Sequence, residues 1–327
     1  MKAVYISEFG PPENLEIREV PEPPKPENTQ VLIRVKAVGL NRADLLQVAG
    51  LYPPPAGYSP NIPGLEFAGE INDIGSDVTN WNVGDRVFGI VAGESQAEFL
   101  VTDESLLARI PDNLTLADAA AVPEAFITAH DAIDTLGGLT AGSTLLIHAV
   151  GSGVGLAGLQ IGKAMGASVI GTSRTDEKLD KCARFGLDLA IATPEPVFAD
   201  AVLEKTGRRG VDVILDLVGA AYFEQNLASL ATKGRLILVG LTSGRTAEFN
   251  LGIALQKRAT IIGTTLRGRS NAEKADATQR FAEDVLPLLA SGAVVPNVDR
   301  VYPVDDAVAA YNYLKSNESF GKVVLEF

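Results

Sequence analysis

The sequence predicts an α/β chain in two parts, a β-rich N-terminal region followed by a doubly wound parallel sheet. Three observations carry this prediction. A chain of 327 residues exceeds the size of most single domains. Its first third contains short apolar or alternating runs bounded by Gly, Asn, Asp and Pro. From about residue 123, helical segments alternate with largely apolar runs, as expected of strands buried on both faces of a parallel sheet.

In the N-terminal third, VLIRVKAV (31–38) places two cations among apolar residues in alternation, the pattern of a half-buried strand. FAGEINDIG (67–75) and DRVFGI (85–90) are similar runs, and the proline clusters at 21–26 and 53–55 mark extended loops. Further on, GKAMG (162–166), KCARFG (181–186) and LATKG (230–234) each read as a helix end. Each puts a cation in the last turn, where it suits the negative end of the helix, and a glycine at the stop. Apolar runs follow each glycine: ASVIGT, LDLAIA and RLILVG. A fourth run, VDVILDLVG (211–219), follows a helical segment at 197–206. Near the end, DDAVAAYNYLKS (305–316) reads as an amphipathic helix with Ala307, Val308, Tyr311 and Leu314 on one face. KVVLEF (322–327) reads as a strand that returns to pair with the first domain.

Composition narrows the function. A net charge of −13 argues against nucleic acid or an anionic membrane as partner, because phosphate binding needs a cationic surface. A single cysteine fits a reducing compartment, and the N-terminus MKAVYISEFG has no signal-peptide core, so a cytoplasmic location is expected. Residues 141–162 lack Asp, Glu, Lys and Arg and are long enough to cross a bilayer, but six of them are glycine. A buried strand, a glycine-rich turn and a buried helix account for them better.

That strand–turn–helix contains HAVGSGVG (148–155). Small residues there let the backbone approach a pyrophosphate, and the helix N-terminus offers N–H groups and partial positive charge. A glycine-rich turn that only packs closely is the ordinary alternative. An NAD site wants an acid about 20 residues past the glycines. The second strand instead ends in IGTSRTDEK, with Ser173 and Arg174 at that place, Lys178 one turn on, and Asp176 and Glu177 too late. Ser173 and Arg174 suit a 2′-phosphate, which favours NADP(H), unless Arg174 is only a solvated surface charge.

Metal and hydrolytic chemistry fare badly. Catalytic zinc takes three protein ligands, and beyond carboxylates the chain offers only Cys182, His130 and His148, all at positions that read as helix or strand packing. No Gly-x-Ser-x-Gly elbow is present. Two polar stretches stand out. GLNRADLLQVAGLYPPP (39–55) sets Asn41, Arg42, Asp44 and Tyr52 around a proline-stiffened loop, although Asn41 also reads as a helix cap. GTTLRGRS (263–270) is either functional or a solvated basic turn.

Taken together, GLNRADLLQVAGLYPPP, IPGLEFAGEI (62–71), VPEAFITA (122–129), HAVGSGVGLAGLQ and GKVVLEF resemble the zinc-independent quinone oxidoreductases, the zeta-crystallin-like branch of the medium-chain dehydrogenase/reductase superfamily. The resemblance runs from the first strand to the last residue. It implies a GroES-like β-rich catalytic domain over 1–123, completed by 267–327, and a Rossmann domain over 124–266, with NADPH in the cleft between them. The superfamily's zinc enzymes use Cys and His–Glu ligands, whereas this chain has Asn41 and Gly64-Leu65-Glu66 there, so no metal is expected.

The branch's Ala-x-x-Gly/Ser-x-x-Gly loop falls on Ala149, Ser152 and Gly155, and its basic residue after the second strand falls on Lys178, with Arg174 as an additional candidate. A tyrosine used by some members beside the adenine appears here as Thr193. The cofactor contacts so implied further include Asn41, Thr128, Gly153, Val154, Ser173, Val218, Gly240, Leu241, Leu266, Arg267 and Lys322. The activity implied is hydride transfer from NADPH to a quinone or related conjugated carbonyl, a small-molecule substrate. Tyr52 serves as hydrogen-bond donor to the developing oxyanion and Asn41 as an orienting group. A homodimer or homotetramer is expected. The competing readings are an enoyl or alkenal reductase on the same scaffold and a non-catalytic NADP(H)-binding protein.

Overall fold

The computed structural model describes residues Met1–Phe327. In chain order the strands are β1 (Lys2–Ile6), β2 (Leu15–Glu19), β3 (Gln30–Gly39), β4 (Glu66–Ile74), β5 (Arg86–Ile90), β6 (Phe99–Asp103), β7 (Leu107–Arg109), β8 (Thr144–Ile147), β9 (Ser168–Ser173), β10 (Leu189–Ala192), β11 (Val211–Asp216), β12 (Leu230–Leu238), β13 (Thr260–Gly263), β14 (Val298–Pro303) and β15 (Lys322–Glu326). The chain divides into two compact units, Met1–Ile127 with Leu266–Phe327, and Thr128–Thr265. No helix is long and apolar enough to cross a membrane.

The first unit is β-rich. β1 and β2 form an antiparallel pair, and a larger sheet runs β14-β15-β3-β4-β5-β7, with β6 added against β3. Along β3, Val31, Ile33 and Val35 point into the core while Arg34 is exposed, as the alternation predicts. The terminal strand β15 pairs antiparallel with β3, Val324 facing Gly39, and parallel with β14. The helix Ala307–Ser316 packs on the same core through Ala307, Ala310, Tyr311 and Leu314, with Val308 at its margin.

The second unit is a six-stranded, all-parallel sheet in the order β10-β9-β8-β11-β12-β13. The order reverses beside β8, and ligands of such sheets bind beyond the strand C-termini at that point. Gly166 and Gly186 take the left-handed conformation at the expected helix ends.

The third expected helix end is misplaced. The helix Phe223–Ser229 stops before LATKG, and Leu230 already pairs with Val211 as the start of β12. The cation and glycine at 233–234 serve a bulge in the strand instead. There Lys233, not Gly234, takes the left-handed conformation (φ 66°). The segment around His130 is helical, but two π turns, Pro123–Ile127 and Asp131–Leu136, flank a short α turn at Thr128–His130.

Candidate active site

In the second unit, β8 delivers the chain to Ala149, held at φ 48°, and the helix Gly153–Ala164 begins after Ser152. The Ser152 hydroxyl accepts from the Gly155 N–H (3.1 Å), and its carbonyl accepts from the Leu156 N–H (2.8 Å). Those bonds leave the Gly153 and Val154 amides leading the helix and the Ser152 hydroxyl proton free to be donated. This is a donor set suited to an anion. Gly155 is required by close approach: a Cβ there would lie 2.5 Å from the Ala149 carbonyl oxygen and 2.7 Å from Val150 Cα.

Behind the loop lies a polar chain that sequence reasoning missed. His148 is fully buried, and burial lowers its pKa to about 4, so the imidazole is neutral. Its Nε2 donates to Asn226 Oδ1 (2.5 Å), and its Nδ1 accepts from the Thr172 hydroxyl (2.8 Å). Asn226 Nδ2 donates to Asp216 Oδ2 (3.0 Å), and Asp216 Oδ1 accepts from the Val218 and Gly219 N–H groups. The C-terminal ends of β8, β9 and β11 are thereby tied together, and the 217–219 turn is fixed. The packing role expected of His148 is thus joined to hydrogen bonding. Burial also raises the Cys182 thiol to about 12, leaving it an inert packing residue.

Ser173 ends β9, buried, and its carbonyl accepts from the Thr193 N–H (2.8 Å). Thr193 is buried and its hydroxyl accepts from Tyr222 (2.7 Å). Arg174 is exposed, and Lys178 is partly exposed on the helix Asp176–Cys182. The nearby acid Glu177 is engaged by Lys181 at 2.6 Å. Val218 follows β11, and Gly240 and Leu241 follow β12, so these candidates share the C-terminal edge of the sheet with the loop. Thr128 has a buried hydroxyl with no hydrogen-bond partner in the protein, an orphan that a bound ligand would satisfy.

The first unit carries a second cluster. Lys322, almost fully buried, donates to the Leu40 carbonyl (2.8 Å), Asn41 Oδ1 (2.7 Å) and Glu66 Oε1 (2.6 Å). Asn41 Nδ2 also donates to Glu66 Oε1 (2.8 Å), and Glu66 Oε2 accepts from the Glu124 N–H (2.8 Å). Gly39 makes the room, since a Cβ there would lie 2.4 Å from Glu66 Oε1. Asn41 precedes the helix Arg42–Val48, and Asp44 accepts from its main-chain N–H at 2.8 Å. The Asn41 side chain is therefore turned to Glu66 and Lys322. Asp44 also accepts from the Gly64 N–H, and burial raises its carboxyl to about 6.

Arg267 is buried, unlike a solvated basic turn. Its guanidinium donates to the Ala92 and Tyr52 carbonyls and to Gln47 Oε1, and lies 4.9 Å from the Tyr52 ring centroid. Leu266 is buried beside it in sequence. Tyr52 is half-buried, and desolvation raises its phenol above its ordinary value, so it stays a neutral donor. Sequence reasoning singled out Asn41 and Tyr52 but passed over Glu66 and Glu124 as partners. The available signal was an isolated carboxylate inside an apolar run, in PGLEFAG and AAAVPEAFI.

Residues 27–129 match the family model for the alcohol dehydrogenase GroES-like domain, and residues 153–283 that for zinc-binding dehydrogenase. The chain is 32% identical over 325 residues to the quinone oxidoreductase of Pseudomonas aeruginosa, an alignment covering 99% of each chain. It superimposes on the Escherichia coli quinone oxidoreductase complexed with NADPH with a TM-score of 0.90 at 28% identity, over 100% of both chains. The chain belongs to the quinone oxidoreductase family of the medium-chain dehydrogenases/reductases. The CurK enoyl reductase is also similar, with a TM-score of 0.88 and 26% identity over 99% of this chain and 98% of that one.

The zinc-binding family model raises the question of a metal, and the donor set does not fit one. Zinc would need Cys, His or carboxylate ligands. At the positions compared above with the ligands of the superfamily's zinc enzymes stand Asn41, with its side chain already bonded at both ends, and the buried, apolar Leu65. The third group, Glu66, already has the Lys322 ammonium as its cation.

Proposed function

We propose that this chain is a cytoplasmic NADPH-dependent reductase of quinones or related conjugated carbonyls that works without zinc. The observation that supports the reading is the buried cluster in which the Lys322 ammonium is held by Glu66 and Asn41, which engages the polar groups of that site without a metal. Charge arising on an acceptor oxygen must then be met by hydrogen-bond donors, for which the neutral Tyr52 phenol is suited. NADPH, when bound, would supply the hydride. Ala149–Gly155 would hold its pyrophosphate, Val218, Gly240, Leu241 and the Thr128 hydroxyl would contribute further contacts, and Ser173, Arg174 and Lys178 would take the 2′-phosphate. The NADPH-bound E. coli relative supports this choice. Asn41 and Lys322 spend their polar groups on each other and on Glu66, and Arg267 spends its guanidinium on protein acceptors. Their proposed part is to set the shape and potential of the site.

Following NADPH absorbance with 1,4-quinones and with 2-alkenals tests the reading. Turnover of quinones is expected. Preference for the alkenals favours the C=C reductase, the reading that the CurK similarity supports. Tight NADPH binding with no turnover of either overturns both. Tyr52→Phe is expected to lower kcat/KM for the quinone by about 10²-fold, the effect of removing one oxyanion donor. Unchanged values in both Tyr52→Phe and Asn41→Ala would remove these residues from the site. Arg174→Ala is expected to weaken NADPH by roughly tenfold or more, a charge-assisted hydrogen bond being worth about 1.5–3 kcal/mol. NADH should be unaffected, and titration calorimetry showing equal losses for both nucleotides contradicts the 2′-phosphate role.

A homodimer or homotetramer belongs to the same reading. Edge strand β13 and the helix before it leave Leu251, Leu255 and Ile261 exposed. Sedimentation equilibrium decides between the two sizes, and a monomer would refute both.

A further inference from the structure

Tyr52 lies in the loop 49–65, between the helix Arg42–Val48 and β4, where neither helix nor strand holds it. The residues that follow it, Pro53, Pro54 and Pro55, have no N–H to donate, so this stretch cannot anchor itself through a ladder of main-chain bonds. A donor meets a developing oxyanion well only if it is already in place, and a misplacement of about 1 Å can cost about 10²-fold in rate. Something outside the loop must fix Tyr52.

Arg267 has the geometry to do so. Its Nη1 donates to the Tyr52 carbonyl (2.8 Å), and its guanidinium carbon lies 4.9 Å from the Tyr52 ring centroid, so it grips the residue by main chain and by ring. Its Nε donates to the Ala92 carbonyl (2.8 Å) just beyond β5, and its Nη2 donates to Gln47 Oε1. Gln47 is itself buried and fixed, its Nε2 donating to the carbonyls of Pro60 (3.0 Å) and Ile62 (3.4 Å). The guanidinium thus ties the Tyr52 loop to the helix before it, to its own far end and to the turn after β5. We propose that Arg267 is the positioning residue that holds the Tyr52 phenol where the oxyanion of the reduced acceptor forms. This rests on the reductase reading above.

The arrangement needs a planar fork and not only a charge. Three nitrogens in one plane each meet a separate acceptor. A lysine ammonium is a single centre on a flexible stem and cannot face the Tyr52 carbonyl, the Ala92 carbonyl and the Gln47 amide while lying against a ring. Arg267 is 5% exposed, so water competes little for these bonds. Since each of its nitrogens already has a protein acceptor, its influence on the acceptor molecule runs through Tyr52. The two residues are 215 positions apart, and Arg267 is the second residue of the returning segment Leu266–Phe327. The placement of Tyr52 therefore depends on that return.

Arg267→Lys keeps the charge and loses the fork. It is expected to lower kcat/KM for a 1,4-quinone by about tenfold to 10²-fold, and Arg267→Gln by at least as much. In a Tyr52→Phe background the further loss from Arg267→Lys should stay within about threefold, because the hydroxyl that Arg267 places is already gone. A merely structural role would lower both backgrounds equally, and equal losses overturn the proposal. So does wild-type kcat/KM in Arg267→Lys, or in Tyr52→Phe, which leaves nothing to place. Independently of turnover, nuclear magnetic resonance of protein carrying ring-13C tyrosine reads the Tyr52 signal, assigned by its loss in Tyr52→Phe. In the wild type it should relax like the signal of the fully buried Tyr311, and in Arg267→Gln it should move to the position of free tyrosine. A mobile Tyr52 ring in the wild type overturns the proposal even if the Arg267 variants do not fold. Absence of turnover by the wild type with quinones and alkenals sinks the reductase reading, whereas an unaltered Tyr52 signal in Arg267→Gln sinks the positioning role alone.

Discussion

Gly155→Val is expected to abolish useful NADPH binding, weakening it by about 100-fold. The added Cβ meets the Ala149 carbonyl oxygen and Val150 Cα, which are backbone atoms and cannot swing aside. The helix Gly153–Ala164 must retreat from the loop, and the Gly153 and Val154 amides retreat with it. Overpacking of this kind costs about 1–3 kcal/mol, and every 1.4 kcal/mol is about tenfold in affinity. Nucleotide fluorescence titration checks it. A dissociation constant within about threefold of wild type, ~0.6 kcal/mol, would show that the loop does not need this close approach.

Lys322→Met should cost about 3–5 kcal/mol of folding stability, because it leaves the Glu66 carboxylate fully buried without its cation. The Asn41 side chain and the Glu124 N–H still bond to Glu66, which places the effect nearer the lower figure. The double variant Lys322→Met with Glu66→Gln should recover part of the loss, since no charge then stays buried alone. Urea unfolding monitored by circular dichroism measures both. A single variant as stable as wild type would mean that the pair is not desolvated as described.

Much of the fold was legible because it is written locally. The alternation in β3, the apolar runs of β8, β9 and β11, and the glycines at 166 and 186 are each read within ten residues. LATKG misled for a physical reason. Its cation and glycine match a helix end, but Leu230 gains more by pairing beside Val211, and the turn-forming residues are spent on a bulge. The site was less legible. Asn41 and Tyr52 could be picked out as polar residues in a stiff loop, but what Asn41 does depends on Glu66 and Lys322, which lie 25 and 281 positions away in sequence. Whether Arg267 is functional or part of a solvated basic turn stays open in the sequence until its acceptors at Gln47, Tyr52 and Ala92 are known. No window of sequence contains these pairs. They exist only once the chain is folded.

The pairing of β15 with β3 has a consequence for how this protein is made. Residues Thr128–Thr265 form a contiguous unit, whereas the β-rich unit needs Leu266–Phe327 to be complete. On the ribosome, the end of β3 at Ala37–Gly39 emerges long before its partner at Val324–Glu326. At about 5–20 residues per second the wait is on the order of 15 s to a minute. Throughout it the nascent chain displays an unpaired strand edge, and Glu66 has no lysine beside it. The parallel-sheet unit can finish folding in that interval. The N-terminal unit, although first out of the tunnel, matures last, and chaperones that shield strand edges have their longest opportunity there.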